Sequence, residues 1–175
     1  FCSFNNLAKV NERVVEVWSK VLHQVKNSRL LMKTKSFGDA AVCDRYIKLF
    51  GLQGIDSSRL ELVGKLKETT AHMQLYSHVD IALDTFPYNG TTTTCEAMWM
   101  GVPVVTLCGD RHSARVGKSL LNALGAQQWV AHTEDEFIKI AVELASDKQA
   151  LQSTKAGLRK QMQESDLCDG PGFVA

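Results

Sequence analysis

The chain has 175 residues, 45% of them hydrophobic, which suffices for one domain with a buried core and gives no reason to expect two. Lys and Arg number 20 against 19 Asp and Glu, and a net charge of +1 provides no long-range field for nucleic acid or an anionic membrane. Any anion site must therefore be built locally. The five cysteines (Cys2, Cys43, Cys95, Cys108 and Cys168) are scattered, with no C-x-x-C pair and no Cys/His cluster at zinc spacing, so no metal site is expected. They point to a reducing, cytoplasmic setting in which thiols act mostly as small core residues. No run approaches the roughly 18 apolar residues of a membrane span, and no signal peptide opens the chain.

Short β-like runs alternate with amphipathic helical runs. Phe1 to Phe4 predicts a strand, and Val10 to Val25 a helix with Val10, Val14, Val17, Trp18, Val21 and Leu22 on one face. A strand at Arg29 to Lys33, a helix from Asp39 to Phe50, a strand at Leu60 to Val63 and a helix from about Glu68 to Ser77 follow. "DIALD" (Asp80 to Asp84) is a fourth strand, Thr92 to Met100 a short helix, "PVVTL" (Pro103 to Leu107) a fifth strand and Ala114 to Leu124 a helix. A brief strand at Trp129 to Ala131 leads into "TEDEFIKIAVELA", where Thr133 and Glu136 have capping-box spacing. The tail "DLCDGPGFVA" has the character of a short connection to another element. Six such alternations, with strands apolar on both faces, predict an α/β fold: a Rossmann-like, mostly parallel sheet covered by helices on both sides.

In such a sheet ligands sit beyond the carboxyl ends of the strands. Three loops there carry chemistry: "NNLAK" after the first strand, "GKLKETTAH" after the third and "TFPYNGTTTT" after the fourth. The dinucleotide fingerprint G-x-G-x-x-G is absent, and "VGKSL" fails as a phosphate loop because His112 stands where glycine is required. The threonine run allows two readings. A helix N-terminus offers unpaired N–H groups and partial positive charge, which threonine hydroxyls would reinforce as an anion seat. Alternatively Thr93 and Glu96 form a simple capping box. Lys9, placed at the start of the first crossover helix, opposes the helix dipole, a mismatch that favours a ligand role. Asn6 can bond a ligand or cap its turn. His72, His78 and His112 are lone histidines without metal-ligand spacing, and Asp84 either acts as a base or ties down its loop. These residues by themselves reach a phosphate-containing ligand on an α/β domain.

The stretch "DIALDTFPYNGTTTTCEAMWMGVPVVTLCGDRHSARVG" (Asp80 to Gly117), with "FCSFNNLAKVN" at the start and "NSRLLMK" at Asn27 to Lys33, resembles the C-terminal catalytic lobe of O-linked N-acetylglucosaminyltransferases. These are glycosyltransferases of family 41, and the wording is like that of bacterial, SPINDLY-like members. The resemblance covers about Phe1 to Phe173. It implies the C-terminal, donor-binding lobe of a GT-B glycosyltransferase, with UDP-N-acetylglucosamine as donor, a Ser or Thr hydroxyl of a polypeptide as acceptor, inversion at the anomeric carbon and no metal ion. Lys9 then matches the lysine that neutralises the diphosphate, and Asn6 stands near it where animal members carry glutamine. His72 matches the histidine that packs on uracil, Thr92 and Thr93 the pair that holds the phosphates, and Glu96 the acidic residue at the ribose. Thr91 stands where animal enzymes have histidine. The family's second lysine is Thr69 here, so its role passes to Lys67 or is lost.

The same resemblance implies that residues 1 to 175 are a single lobe. The first lobe, the general base and the tetratricopeptide repeats that present protein acceptors would lie outside them, leaving the isolated lobe inactive. Two other readings are a non-catalytic UDP-binding regulatory module and a UDP-sugar epimerase of similar fold. The latter would need converging carboxylates, which the donor-side loops hardly offer.

Overall fold

The computed structural model describes residues 1–174. Six parallel strands, β1 (Cys2–Ser3), β2 (Leu30–Lys33), β3 (Leu60–Val63), β4 (Ala82–Leu83), β5 (Val104–Leu107) and β6 (Val130–Ala131), form one sheet in the order β3-β2-β1-β4-β5-β6. The chain builds outward from β1 to β3, returns to place β4 beside β1, and builds outward again to β6. Cys2 consequently pairs with Leu31 on one side and Ala82 on the other. The loops leaving β1 and β4 diverge to opposite faces and open a crevice between them, the place where parallel sheets bind ligands.

Successive strand residues enter different cores, as a doubly covered sheet requires. Leu30, Met32, Leu83 and Val105 join the layer of α1 (Glu12–Gln24), α2 (Ala40–Leu52) and α6 (Glu134–Ser146), around Trp18, Phe50 and Phe137. Cys2, Phe4, Leu31, Ala82 and Val104 join the other layer, which holds α4 (Thr92–Trp99), α5 (Val116–Leu124) and α7 (Lys148–Gln163) around Tyr76, Met98, Leu121 and Leu158. The apolar face predicted for the first helix is buried, with Val14, Val17, Trp18, Val21 and Leu22 on α1, while Val10 is buried ahead of it because the helix starts only after the Asn11 cap. Caps set where helices begin: the Asn11, Asp39 and Thr133 side chains accept from Val14, Ala41 and Glu136 N–H groups, opening α1, α2 and α6. Glu136 reaches back to the His132 N–H at 2.7 Å, one residue before the position a regular capping box uses.

The predicted helix at 68–77 divides into α3 (Thr69–Gln74) and a 3-10 turn, Leu75–His78. Ala114 belongs to a separate 3-10 turn, His112–Ala114, ahead of α5. The sequence reading passes over α7, which buries only Leu151, Leu158 and Met162 of its sixteen residues, too thin a stripe to announce a helix. The tail contains a short helix, α8 (Gly170–Val174). Only Cys2 among the cysteines is buried, so the expectation that thiols mostly fill the core is corrected: three are half-buried and Cys168 is exposed. Among the described residues no helix is long and apolar enough to cross a membrane.

Candidate functional site

The crevice beyond β1 and β4 is organised by one carboxylate. Asp84 ends β4 only 1% exposed, and its Oδ1 accepts the N–H groups of Thr85 at 2.8 Å and Gly90 at 2.7 Å. Its Oδ2 accepts the Thr106 hydroxyl at 2.7 Å, binding the loop to β5. Of the two roles open to Asp84 from sequence, the structure shows the tying of a loop. Burial pushes its carboxyl up to about 6, against three hydrogen bonds and the nearby Lys9 charge, which pull the other way. Asn89, fully buried, is the second clip: its Nδ2 donates to the Thr85 carbonyl at 2.9 Å and the Leu107 carbonyl at 3.3 Å. The Gly117 N–H donates to its Oδ1 at 3.3 Å. Loop 85–90 is thereby fixed from within, and α4 starts in a defined place.

Lys9 is not at the start of α1 as the sequence suggests. It closes a 3-10 turn (Leu7–Lys9), and α1 begins three residues later behind the Asn11 cap, so the dipole mismatch does not apply. Its ammonium donates to the Asn89 carbonyl at 2.8 Å and lies 4.2 Å from the centroid of the Tyr88 ring. Burial pulls its pKa down, and Asp84 partly opposes the shift. Half-buried and held by the loop before α4, Lys9 places a positive charge beside the start of that helix. Asn6 is exposed, and its Oδ1 caps the same turn by accepting from the Ala8 N–H at 2.9 Å.

The capping-box alternative at the threonines is not what forms. Thr91 occupies the cap position without a side-chain cap bond, and Thr93 and Glu96 lie inside the helix. The Thr93 hydroxyl donates instead to Asn5 Oδ1 at 3.1 Å, joining the end of β1 to the start of α4 across the crevice. Thr91 and Thr92 are exposed and Thr94 is buried. The first α-helical bond here runs from the Cys95 N–H to the Thr91 carbonyl, so the preceding N–H groups of the first turn face outward as donors.

Glu96 turns the other way. Its Oε2 lies 3.0 Å from His72 Nε2, with the two side chains 27% and 15% exposed. The His72 ring in turn lies 5.6 Å from Phe4 and 5.7 Å from Tyr76 by centroid. The third loop thus delivers His72 to the same shelf as the first two. Lys67 stays exposed in the loop before α3, where it forms no ion pair among the described residues. Sequence reasoning missed Asn5, Tyr76 and Asn89. Asn5, first after β1 at the crevice, was the one with a positional signal.

The space enclosed behind Asn5 and Thr93 amounts to only about 10 Å³. A larger cavity of about 670 Å³ lies at the other end of the sheet, near Phe1, Arg29 and Asp80, away from these groups. Among the described residues no three His, Cys, Asp or Glu side chains converge as metal ligands.

The fold is a Rossmann-like α/β lobe with a polar shelf beyond its strands, and comparison narrows the class. The sequence model of glycosyl transferase family 41 matches residues 1–174, and the chain belongs to that family. Its backbone matches a lysine-to-methionine mutant of the Thermobaculum terrenum O-GlcNAc transferase with a TM-score of 0.91 and 34% identity, over 99% of this chain and 34% of that one. The parallel sheet covered on both faces is the architecture expected of a GT-B lobe. A Petunia hybrida protein described as a probable UDP-N-acetylglucosamine–peptide N-acetylglucosaminyltransferase SPINDLY is 46% identical over 99% of this chain and 19% of its own length. A Caenorhabditis elegans UDP-N-acetylglucosamine–peptide N-acetylglucosaminyltransferase is 31% identical over 97% of this chain and 14% of its own. The chain therefore spans about a fifth or less of the length of these curated relatives.

Proposed function

We propose that the chain is the donor-binding lobe of an inverting, metal-independent glycosyltransferase that moves N-acetylglucosamine from UDP-N-acetylglucosamine to a Ser or Thr hydroxyl of a polypeptide. The observation that carries this reading is the meeting, on one shelf of a family 41 chain, of Lys9, the threonine-lined start of α4 and the His72–Glu96 pair. The first two suit a diphosphate, and the third suits a nucleoside. Asn6 and Lys67, both exposed in loops that follow β1 and β3, are available to the donor.

In the transfer, the bond from the anomeric carbon to the diphosphate breaks as the acceptor oxygen attacks from the opposite face, which inverts the centre. Negative charge grows on the departing UDP. Lys9, the first-turn N–H groups at Thr91, Thr92 and Thr93 and the exposed hydroxyls of Thr91 and Thr92 meet that charge, while the Thr93 hydroxyl stays on Asn5 and fixes the turn. The acceptor proton goes to a base outside this chain, since Asp84 spends its oxygens on Thr85, Gly90 and Thr106. Polypeptide acceptors are presented by regions outside it too, so the isolated lobe binds UDP weakly and transfers nothing.

The test is Lys9→Ala in the protein that carries this chain. Turnover should fall on the order of 100-fold or more, as when one preorganised charge stabiliser is lost, while uridine affinity changes far less. Unchanged turnover sinks the assignment. EDTA should leave turnover intact, and GDP binding tighter than UDP would overturn the choice of base.

A further inference from the structure

Tyr76 reaches both halves of the shelf. It is 1% exposed, its ring lies 4.4 Å from Phe4 and 5.7 Å from His72 by centroid, and nothing in the sequence reading gave it a role. Its hydroxyl points away from that apolar packing. It lies 3.3 Å from the Thr93 carbonyl and 3.5 Å from Glu96 Oε2, bridging the first turn of α4 and the carboxylate. Burial raises the phenol's pKa, so the group stays a donor across the physiological range.

We infer that Tyr76 is a positioning residue for donor binding: with His72 it holds Glu96 Oε2, so that Oε1 is presented to the ribose hydroxyls of the nucleotide. The geometry supports this because Oε2 faces two donors, His72 Nε2 at 3.0 Å and the Tyr76 hydroxyl at 3.5 Å. Oε1 accepts from no described residue, and a carboxylate oxygen with free lone pairs is what a vicinal diol needs. A glutamate swinging freely about its three side-chain torsions would lose entropy on binding. One held on Oε2 has lost it already. The one hydroxyl hydrogen is shared between the Thr93 carbonyl at 3.3 Å and Glu96 Oε2 at 3.5 Å, which keeps the carboxylate close to the first turn of α4. This inference rests on the UDP-binding reading above.

The experiment measures dissociation constants of UDP and 2′,3′-dideoxy-UDP for the protein that carries this chain, unaltered and as Tyr76→Phe, which keeps the ring packing. The unaltered protein should prefer the ribose nucleotide by about 10-fold or more, the range of hydrogen bonds to a charged acceptor. In Tyr76→Phe that preference should shrink roughly three- to fivefold, the worth of one ordinary hydrogen bond, through weaker UDP binding alone. In a Glu96→Ala background Tyr76→Phe should change nothing further. If Tyr76→Phe weakens both nucleotides equally, or its loss persists in the Glu96→Ala background, Tyr76 is merely structural and the inference is overturned. If the unaltered protein shows no preference for ribose, the ribose role of Glu96 fails first and this inference goes with it.

Discussion

The two ends of the shelf are built by different means. At the Lys9 end, buried polar clips do the work: Asp84 and Asn89 satisfy backbone groups of loop 85–90, and Gly90 brings the chain close to Thr93, Thr94 and Asn5. At the His72 end, rings pack on rings, and the polar contacts gather on Glu96, which meets His72 and the Tyr76 hydroxyl. On the proposed function the difference follows from what each end would face. Concentrated negative charge calls for fixed dipoles and a held cation, whose placement depends on the backbone. A flat base calls for an apolar surface, which side chains supply. Damage at the first end should therefore appear as lost stability and turnover, and at the second as lost affinity.

The sharpest way to test that contrast is Asp84→Ala. It strands two buried N–H groups and the Thr106 hydroxyl, and the expected cost is about 3 kcal/mol or more of unfolding free energy, read from urea denaturation. A loss under 1 kcal/mol would mean the loop is not held from within. The same group gives a pH test. Its folded pKa of about 6 lies above the ordinary 3.8, so between these values the folded state keeps a proton that the unfolded chain releases. Its contribution to stability is then full below about pH 4 and is lost as pH rises through 6, amounting to about 3 kcal/mol. Relative to Asp84→Asn, the unaltered protein should lose stability as pH rises from about 4 to 6 and over that window alone; parallel curves would show that Asp84 titrates normally.

Gly90→Ala comes next. A Cβ there would sit 2.7 Å from Thr93 Oγ1, 2.8 Å from Thr94 Oγ1 and 3.0 Å from Asn5 Oδ1. Overpacking of this kind costs about 1–3 kcal/mol, and UDP binding should weaken while uridine binding holds, as calorimetry can show. Smallest is His72→Ala, expected to weaken uridine and UDP alike by about three- to tenfold through lost aromatic contact, with the melting temperature nearly unchanged. A large drop in melting temperature would erase the distinction between the two ends.

Much of the frame was legible along the chain. The strand and helix alternation, the buried stripe of α1 and the cap at Thr133 rest on contacts within a few residues, which periodicity and spacing report directly. Lys9 and the threonines stood out by their place beyond the strands, the roles of His72 and Glu96 entered through resemblance to family 41, and the fold does bring their loops to one end of the sheet. Helix α7 escaped because its partners are the α4 and α6 helices, and its own pattern is mostly polar.

Local spacing misjudged Thr93 and Glu96. Three residues apart at a helix start, they have the signature of a capping box, yet both side chains are claimed by distant partners. Asn5 lies 88 positions from Thr93, and His72 lies 24 from Glu96. Lys9 is likewise fixed by a carbonyl 80 positions away. The sequence by itself determined which segments would be strands and helices and which loops would carry donors and charge, because those properties depend on near neighbours. Only the tertiary structure decided what each polar group does: returning the chain to set β4 beside β1 creates the crevice, and across it hydrogen bonds between distant residues override the local alternatives.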